Sequence, residues 1–435
     1  MILDCFFKAK FRTKEILLNL RQAEWRGIRI GDCVCNSYLR NYRDILQLDW
    51  RMVKLVYQTI SKLTIWDNIL LRIPAENKLK LFFIPEIVYF DEALRRFLLK
   101  KNFYELRQNQ TDGRLFVEKN RLIGPQIGLS YYLSKKVNKK KIKLAKKILT
   151  QYVLRKKSYT PKSQFGSDIN INSHLSNSCR MEKAAVLFLH MVSDAQYYFG
   201  PSCFVDLHDW LMTSLRICQK EGLKLILKPH PACFNKDLLL PVDQMYLKRL
   251  ENLFGIKLQQ INPGSLSPSK LKNVHFAHPQ LSPVALIKKI PHILFLTHHG
   301  TIASEAAFFG KTTIASSAGP YPKNAKFVHL FNTVHEYENL IRLWKEGRLQ
   351  HPVSAKNSLW RWVASRRLQI EEKGHYFWFL LKKYRKKWNI ENPWTFHLEL
   401  EKRARDPKVY NQLVREISSL IKMPNLKGIR SEIGN

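Results

Sequence analysis

Histidine beside proline or glycine follows two apolar runs of this sequence. Residues 225–231 read LILKPHP, and residues 295–312 read FLTHHGTIASEAAFFGKT. Both runs have the form of a buried strand that ends in polar residues. Ligands of open α/β sheets bind beyond the carboxyl ends of such strands. We therefore expect His230, Lys228 and His299 to lie at a ligand-binding edge.

The segment after the second run predicts a phosphate site. A helix N-terminus offers free backbone N–H groups and a partial positive charge, and both suit a phosphate group. Gly300 allows close approach of the backbone, while Thr301 and Ser304 add N–H and hydroxyl donors. Glu305 lies one turn after Thr301, where it either accepts hydrogen bonds from ribose hydroxyls or is a solvated helix residue.

His230 and Asp194 are the candidate catalytic groups. Pro231 cannot continue a central strand, so the His230 imidazole is expected to project from the carboxyl edge. There it can donate to a phosphate oxygen or protonate a leaving group. Asp194 follows the strand-like AAVLFLHM, downstream of His190. Its carboxylate can act as a base or orient an acceptor hydroxyl, or it can cap the next helix.

Other chemistries have little support in the sequence. His298 and His299 are adjacent, but no acidic or cysteine partner stands beside them at ligand spacing, so we expect no metal. There is no P-loop, GxGxxG or GxSxG motif, which weakens kinase, dehydrogenase and serine-hydrolase interpretations.

A strand–helix rhythm from about residue 184 to 327 must position these residues, and it predicts a parallel sheet covered by helices. Before it, residues 1–157 mix helix and strand patterns, with a βα unit at 78–103 and a basic helix with one apolar side at 135–157. The Ser- and Asn-rich residues 158–183 are predicted to be a linker. Residues 328–435 are predicted to be a basic helical extension without strands.

Composition limits the class of protein. The 435 residues are 45% hydrophobic, which indicates a globular chain, and the net charge of +38 implies an anionic partner or surface. Seven scattered cysteines argue against a disulfide framework and for a reducing cytoplasm. The sequence contains no uninterrupted run of about 18 apolar residues, so we expect no membrane-spanning helix. An aromatic stripe, Phe377, Leu381, Tyr384 and Trp388, predicts a helix that packs on the protein or lies on a membrane surface.

Residues 188–200 (FLHMVSDAQYYFG), 204–231 and 298–322 resemble the carboxyl-terminal half of bacterial capsule-polysaccharide-biosynthesis proteins. These are GT-B-fold glycosyltransferases that include the Kdo transferases of capsule export. The likeness spans about residues 185–322. In the amino-terminal half, GIRIGDCVCNSYLRNY at 27–42 looks like the family's IGD…YLR segment, with Asn36 where an aspartate would be expected.

The resemblance implies a GT-B-like fold, with two Rossmann-like domains facing a cleft and a nucleotide-sugar donor held mainly by the second. Carried over, the family's His-Pro pair becomes His230 and Pro231, and its Gly-Thr-x-x-x-Glu segment becomes Gly300, Thr301 and Glu305. It also implies a metal-independent glycosyltransferase with a glycan or glycolipid acceptor and no separate cofactor.

Several functions remain open on the sequence alone. The leading expectation is a cytoplasmic glycosyltransferase, peripheral at the inner face of the membrane through basic helices, with CMP-linked sugars among its candidate donors. A nucleotide-sugar epimerase or polyol-phosphate transferase would use the same fold. A non-enzymatic polyanion-binding module is the third interpretation, although no nucleic-acid motif is present and nucleic acid is not the expected partner.

Overall fold

The structure is a computed structural model, and it describes most of residues 13–108 and most of residues 181–367. The described ranges are 13–72, 81–83, 89–108, 115–118, 139–153, 181–349 except 199, 201, 235–238 and 322, then 355–367 and short stretches between 384 and 412. Within these ranges, no helix combines the length and the hydropathy needed to cross a membrane.

The amino-terminal half is built of helices and two small sheets. Its elements in chain order are α1 (Thr13–Leu20), β1 (Glu24–Trp25), β2 (Ile28–Arg29), α2 (Gly31–Asn41), α3 (Trp50–Leu71), β3 (Leu81–Phe83), α4 (Tyr89–Lys100), β4 (Tyr104–Gln108), β5 (Leu115–Glu118) and α5 (Lys139–Val153). β3 and β4 are parallel and α4 connects them, so the predicted βα unit is confirmed as part of a βαβ unit. β5 pairs antiparallel to β4.

The second half contains a seven-stranded sheet covered on both faces. Its strands are β6 (Lys183–Phe188), β7 (Leu225–Lys228), β8 (Leu266–Pro268), β9 (Val274–Ala277), β10 (His292–Thr297), β11 (Thr312–Ser316) and β12 (His329–Phe331). The helices are α6 (Leu207–Lys220), α7 (Pro241–Phe254), α8 (Pro283–Lys289), α9 (Ile302–Phe308), α10 (Val334–Lys345) and α11 (Ala355–Arg367). The predicted α/β class is confirmed.

The order of the strands creates a switch point in this sheet. The order is β12-β11-β10-β6-β7-β9-β8, and every pairing except that of β8 with β9 is parallel. The chain starts at β6, builds outward through β7 and β9, and then returns to place β10 on the other side of β6. Ligands of doubly wound sheets bind in the crevice where the order reverses. The carboxyl ends of β6 and β10 are that crevice.

Burial explains the unbroken apolar strands. All four residues of β7 and all five of β11 are buried, because helices cover both faces of a parallel sheet. On one face the fully buried Trp210 of α6 packs with Leu187 and Leu225. On the other, Val186 and Ile226 pack with Ala285 of α8.

Two features of the sheet differ from the sequence prediction. β8 pairs antiparallel at one edge, in a segment where no strand was predicted. β12 lies beyond residue 327, where only helix was predicted, so that prediction is wrong for these three residues. Strands this short carry too few residues to display a period.

The two halves share a hydrophobic core. Val34, Cys35 and Tyr38 of α2 pack against Tyr197 and Val205, which lie in the segment between β6 and α6. Polar contacts between the two halves surround this core. These contacts are Arg21 to the carbonyl oxygens of Ser202 (2.7 Å) and Phe204 (2.8 Å), the Tyr197 N–H to Asn36 Oδ1 (3.2 Å), the Leu46 N–H to Asp206 Oδ2 (2.9 Å), and Arg249 to Asp44 (2.5 Å). Asn36 therefore joins the two halves.

The basic helix predicted within 135–157 is confirmed as α5. Its apolar side buries Ala145 and Leu149 against Ala307 of α9 and Trp362 of α11. Most of the predicted linker, residues 158–180, and Phe377 and Leu381 of the aromatic stripe lie outside the described residues. From that stripe, Tyr384 is 2% exposed and its ring lies 5.0 Å from the ring of Trp388.

Candidate functional site

A histidine comes after each of three adjacent strands at the carboxyl edge. β6 leads to His190, β7 to His230, and β10 to His298 and His299. The rings of His190 and His299 are stacked, with centroids 4.0 Å apart across the switch point. His230 is close enough for its charge to influence His190, and Asp194 acts in the same way on His230. The structure thus brings the two predicted catalytic residues to one place.

Thr297 and Gly300 hold the His190 ring. The Gly300 N–H donates to Thr297 Oγ1 at 3.0 Å, and the same oxygen lies 3.3 Å from His190 Nε2. The His299 N–H points at the same ring nitrogen at 3.5 Å. With Nε2 accepting, neutral His190 carries its proton on Nδ1. A Cβ at residue 300 would lie 2.7 Å from Thr297 Oγ1 and 3.1 Å from His190 Cε1, so this position needs glycine.

A hydrogen-bond chain from the amino-terminal half ends at His299. Arg21 holds the Ser202 carbonyl, and the Ser202 hydroxyl accepts from the Phe204 N–H at 3.2 Å. The same hydroxyl lies 2.8 Å from His298 Nε2. A second hydrogen bond joins His298 Nδ1 to His299 Nδ1, 3.0 Å apart, with one of these two nitrogens carrying the proton.

His230 is fixed by a local contact. Its Nδ1 accepts from the Ala232 N–H at 3.2 Å, in the 3-10 turn Pro231–Phe234, and the ring proton is therefore on Nε2. The chain turns at Pro231 as the sequence predicted.

Burial keeps these imidazoles uncharged. It lowers the pKa of His230 and of His299 to about 4, and the pKa values of His190 and His298 fall well below the usual 6.5 for the same reason. At neutral pH the edge therefore presents N–H donors instead of cations. A neutral His230 donates a hydrogen bond, and it becomes an acid only when a bound anion raises its pKa.

Asp194 lies where the two halves meet. Its side chain is exposed, but protein atoms crowd it, and this desolvation raises its pKa against the opposing charges of His230 and Arg40. Arg40 of α2 donates to the Tyr89 hydroxyl at 2.8 Å, which in turn donates to the carbonyl oxygen of Ser193 at 2.8 Å. The alternative that Asp194 caps the next helix is wrong, because Asp206 is the N-cap of α6.

The remaining predicted donor-site residues separate into exposed and buried ones. Thr301 is exposed at the start of α9. Lys228 is 4% exposed and donates to the Pro279 carbonyl at 2.8 Å. Ser304 is 1% exposed and its hydroxyl donates to the Thr301 carbonyl at 2.7 Å, whereas Glu305 is 6% exposed one turn into the helix. His230, His299, Gly300 and Thr301 are therefore the predicted donor-site residues nearest to solvent.

Sequence reasoning missed several residues of this edge. Arg40 stood in the quoted YLR segment, but its proximity to Asp194 depends on packing across 154 residues of chain. No pattern in the sequence indicated that Ser202 or Arg21 contributes to this edge. Among the described residues, no group of three or more His, Cys, Asp or Glu side chains is arranged to hold a metal ion.

Comparisons with known proteins give only distant likenesses. No protein-family model and no curated protein matches the chain. Among solved structures, a beta-Kdo 2,4 transferase, KpsC from Thermosulfurimonas dismutans, has 12% identity and a TM-score of 0.36 over 66% of this chain and 78% of its own. The UDP-GlcNAc 2-epimerase of Methanocaldococcus jannaschii, solved with UDP-GlcNAc and UDP, has 14% identity and a TM-score of 0.30 over 72% of this chain and 80% of its own. These values do not show membership of a family.

Proposed function

We propose that this chain is a GT-B-type glycosyltransferase that moves a sugar from a nucleotide-sugar donor to a surface polysaccharide or glycolipid. The observation that supports it most is the set of imidazoles at the switch point. His230 carries its ring proton on Nε2, because its Nδ1 accepts from the Ala232 N–H, and the His299 ring lies stacked on His190 beside it. A fixed N–H donor such as that of His230 suits the oxygens of a phosphate group.

In this proposal the donor phosphate lies against His230, His299 and the backbone at Gly300 and Thr301. Glu305 binds the ribose, Ser304 supports the first turn of α9, and Lys228 supplies positive charge within the sheet edge. The glycine lets the phosphate approach the backbone closely, as anion sites between a strand and a helix require.

Asp194 is the proposed base. Its raised pKa lies closer to neutral pH than that of an ordinary aspartate, which favours proton transfer. It takes the proton of the acceptor hydroxyl while the acceptor oxygen bonds to the anomeric carbon. The bond from that carbon to the phosphate oxygen breaks, and the His230 Nε2–H donates a hydrogen bond to the negative charge left on the nucleotide. This anion raises the pKa of His230, so that the ring can take up a proton from solvent and pass it to the phosphate.

We place the enzyme on the cytoplasmic side, at a membrane surface. The net charge of +38 suits an anionic acceptor or an anionic bilayer, and α5 exposes Lys143, Lys146 and Lys147. A donor–acceptor reaction of this kind would feed capsule or lipopolysaccharide assembly.

Calorimetric titration with CMP, UDP and GDP tests the proposal. The matched variants are His230→Asn and His292→Gln, because His292 is exposed at the opposite, amino end of β10. We expect one nucleotide to bind, about tenfold more weakly to His230→Asn, as for the loss of a hydrogen bond to a charged group, and unchanged to His292→Gln.

Product analysis then separates the reaction types. A glycosyltransferase consumes the nucleotide-sugar only with an acceptor, whereas an epimerase isomerises it without one. Absence of binding to all three nucleotides, together with tight binding of polyanions, would contradict the proposal.

A further inference from the structure

One helix carries most of the exposed large hydrophobic side chains of the described residues. Six of the eight lie on α3, and the other two are Met212 on α6 and Met245 on α7. The six, with their exposed fractions, are Trp50 (63%), Tyr57 (72%), Ile65 (56%), Trp66 (37%), Ile69 (45%) and Leu71 (75%). An apolar surface of this kind marks an interaction site.

The fold requires only the opposite face of α3. Met52, Val56 and Leu63 are buried against α2, α4 and the core between the two halves. With 22 residues the helix is about 33 Å long, so its exposed side forms an extended strip. Tyr57 and Leu71 on that strip are 72% and 75% exposed, so they contribute little to the packing of the described residues.

The charges on α3 indicate the partner. Arg51 and Lys54 lie beside Trp50, at 5.4 and 5.7 Å from its ring, and Lys62 lies 4.9 Å from the ring of Phe90. The single acidic residue of this fully described helix, Asp67, is 8% exposed and pairs with Arg26 and Lys101. Lys54 and Lys62 are exposed, Arg51 pairs with Asp49, and the neutral Gln58 and Asn68 are exposed as well. No exposed side chain of α3 is acidic.

We propose that this strip of α3 docks on the surface of an anionic lipid bilayer. Tryptophan and tyrosine favour the headgroup boundary, leucine and isoleucine insert below it, and lysine and arginine meet the lipid phosphates. A second copy of the chain is a poorer partner, because it would bring another net charge of +38. A soluble polyanion would leave the apolar side chains in water. The proposal is independent of the proposed sugar transfer.

Vesicle flotation tests it. Wild-type protein is mixed with vesicles of phosphatidylcholine, with or without phosphatidylglycerol, and is expected to float with the anionic vesicles. The Trp50→Ser/Tyr57→Ser/Leu71→Ser variant should bind at least about tenfold more weakly, through the loss of inserted apolar area. Met212→Ser/Met245→Ser is the matched control, expected to bind as wild type does. Lys54→Gln/Lys62→Gln should reduce the preference for anionic vesicles.

Three outcomes would overturn the proposal. They are wild-type protein that floats with neither vesicle, a triple variant that floats like wild type, and a wild-type dimer, seen by light scattering, that the triple variant abolishes. Because the three replaced side chains are exposed, circular dichroism should show all variants folded. Nucleotide titration of the triple variant keeps this result separate from that of sugar transfer.

Discussion

Replacing His230 by asparagine separates the two nitrogens of its imidazole. The asparagine Oδ1 can accept from the Ala232 N–H in place of Nδ1, whereas the Nε2 donor and the titration are lost. His230→Gln extends a donor towards the position of Nε2 and serves as the partner variant. Comparison of the asparagine and glutamine variants shows whether His230 only stabilises the turn through Nδ1 or also provides a hydrogen-bond donor to the site through Nε2.

The pKa of His230 sets the size of the effect. A decrease from 6.5 to about 4 corresponds to about 3 kcal/mol of preference for the neutral form in the folded protein. Below pH 6.5 the unfolded chain binds a proton that folded His230 does not, so the free energy of unfolding falls as the pH drops from 6.5 towards 4. At pH 5.5 the loss is about 1.4 kcal/mol, and above about pH 7.5 it is negligible. The raised pKa of Asp194 has the opposite effect, because the folded carboxyl binds a proton more readily than the unfolded one and so increases the free energy of unfolding as the pH drops.

NMR of histidine-labelled protein measures this pKa in the folded state, with His230→Asn identifying the signal. We expect a midpoint near 4 and an Nε2-protonated ring at neutral pH. In urea unfolding, the free energy of unfolding should decrease between pH 7.5 and pH 5.5. This decrease should be about 1.4 kcal/mol smaller in His230→Asn than in wild type. A midpoint near 6.5, or equal losses in both proteins, would refute the reasoning from burial and from the Ala232 contact.

Three further substitutions test the surroundings of the site. Gly300→Ala should destabilise the protein by about 1–3 kcal/mol in urea unfolding and weaken nucleotide binding, because its Cβ displaces Thr297 or His190; Gly222→Ala, whose Cβ meets no atom within 4 Å, should leave binding unchanged. Ser202→Ala should cost about 1–2 kcal/mol and shift the nitrogen-15 NMR signals of His298 and His299, while Ser202→Thr should preserve them; unchanged signals in the alanine variant would disprove the hydrogen-bond chain from Ser202 to His299. Arg21→Met should lower the free energy of unfolding by about 3 kcal/mol, because two hydrogen bonds are lost. The exposed Arg26→Met should lower it by under about 0.5 kcal/mol. Equal decreases in the two variants would contradict the role given to Arg21.

The sequence predicted the sheet well where strands are buried on both faces. LILK of β7 and HILFLT of β10 are apolar runs that end in polar residues, and both are strands with those ends at the carboxyl edge of the sheet. β8 and β12 were not predicted, because three residues are too few to show the alternation of apolar and polar residues that is typical of a strand. β12 is defined only by its pairing with β11.

The site was predictable in its residues and not in its chemistry. His230 and His299 were found because each stands in a polar segment directly after a buried apolar strand. The tautomer of His230 depends on the Ala232 N–H, and the hydroxyl that contacts His298 beside His299 comes from Ser202, 96 residues away. Lys228 was expected to serve the ligand, but its ammonium donates to a carbonyl brought there by the turn after β9. Such choices depend on tertiary contacts, which a local pattern does not encode.

The shared core of α2 with Tyr197 and Val205 bears on how this protein can be divided for experiments. A fragment starting at β6 would carry the whole seven-stranded sheet, yet it would bare the Tyr197 ring and leave the Ser202 and Phe204 carbonyls without Arg21. The Asp206 cap of α6 would also lose its bond from Leu46. Expression of the sheet alone should therefore give an aggregating product, and co-expression of residues 1–157 as a separate chain should restore solubility by complementation.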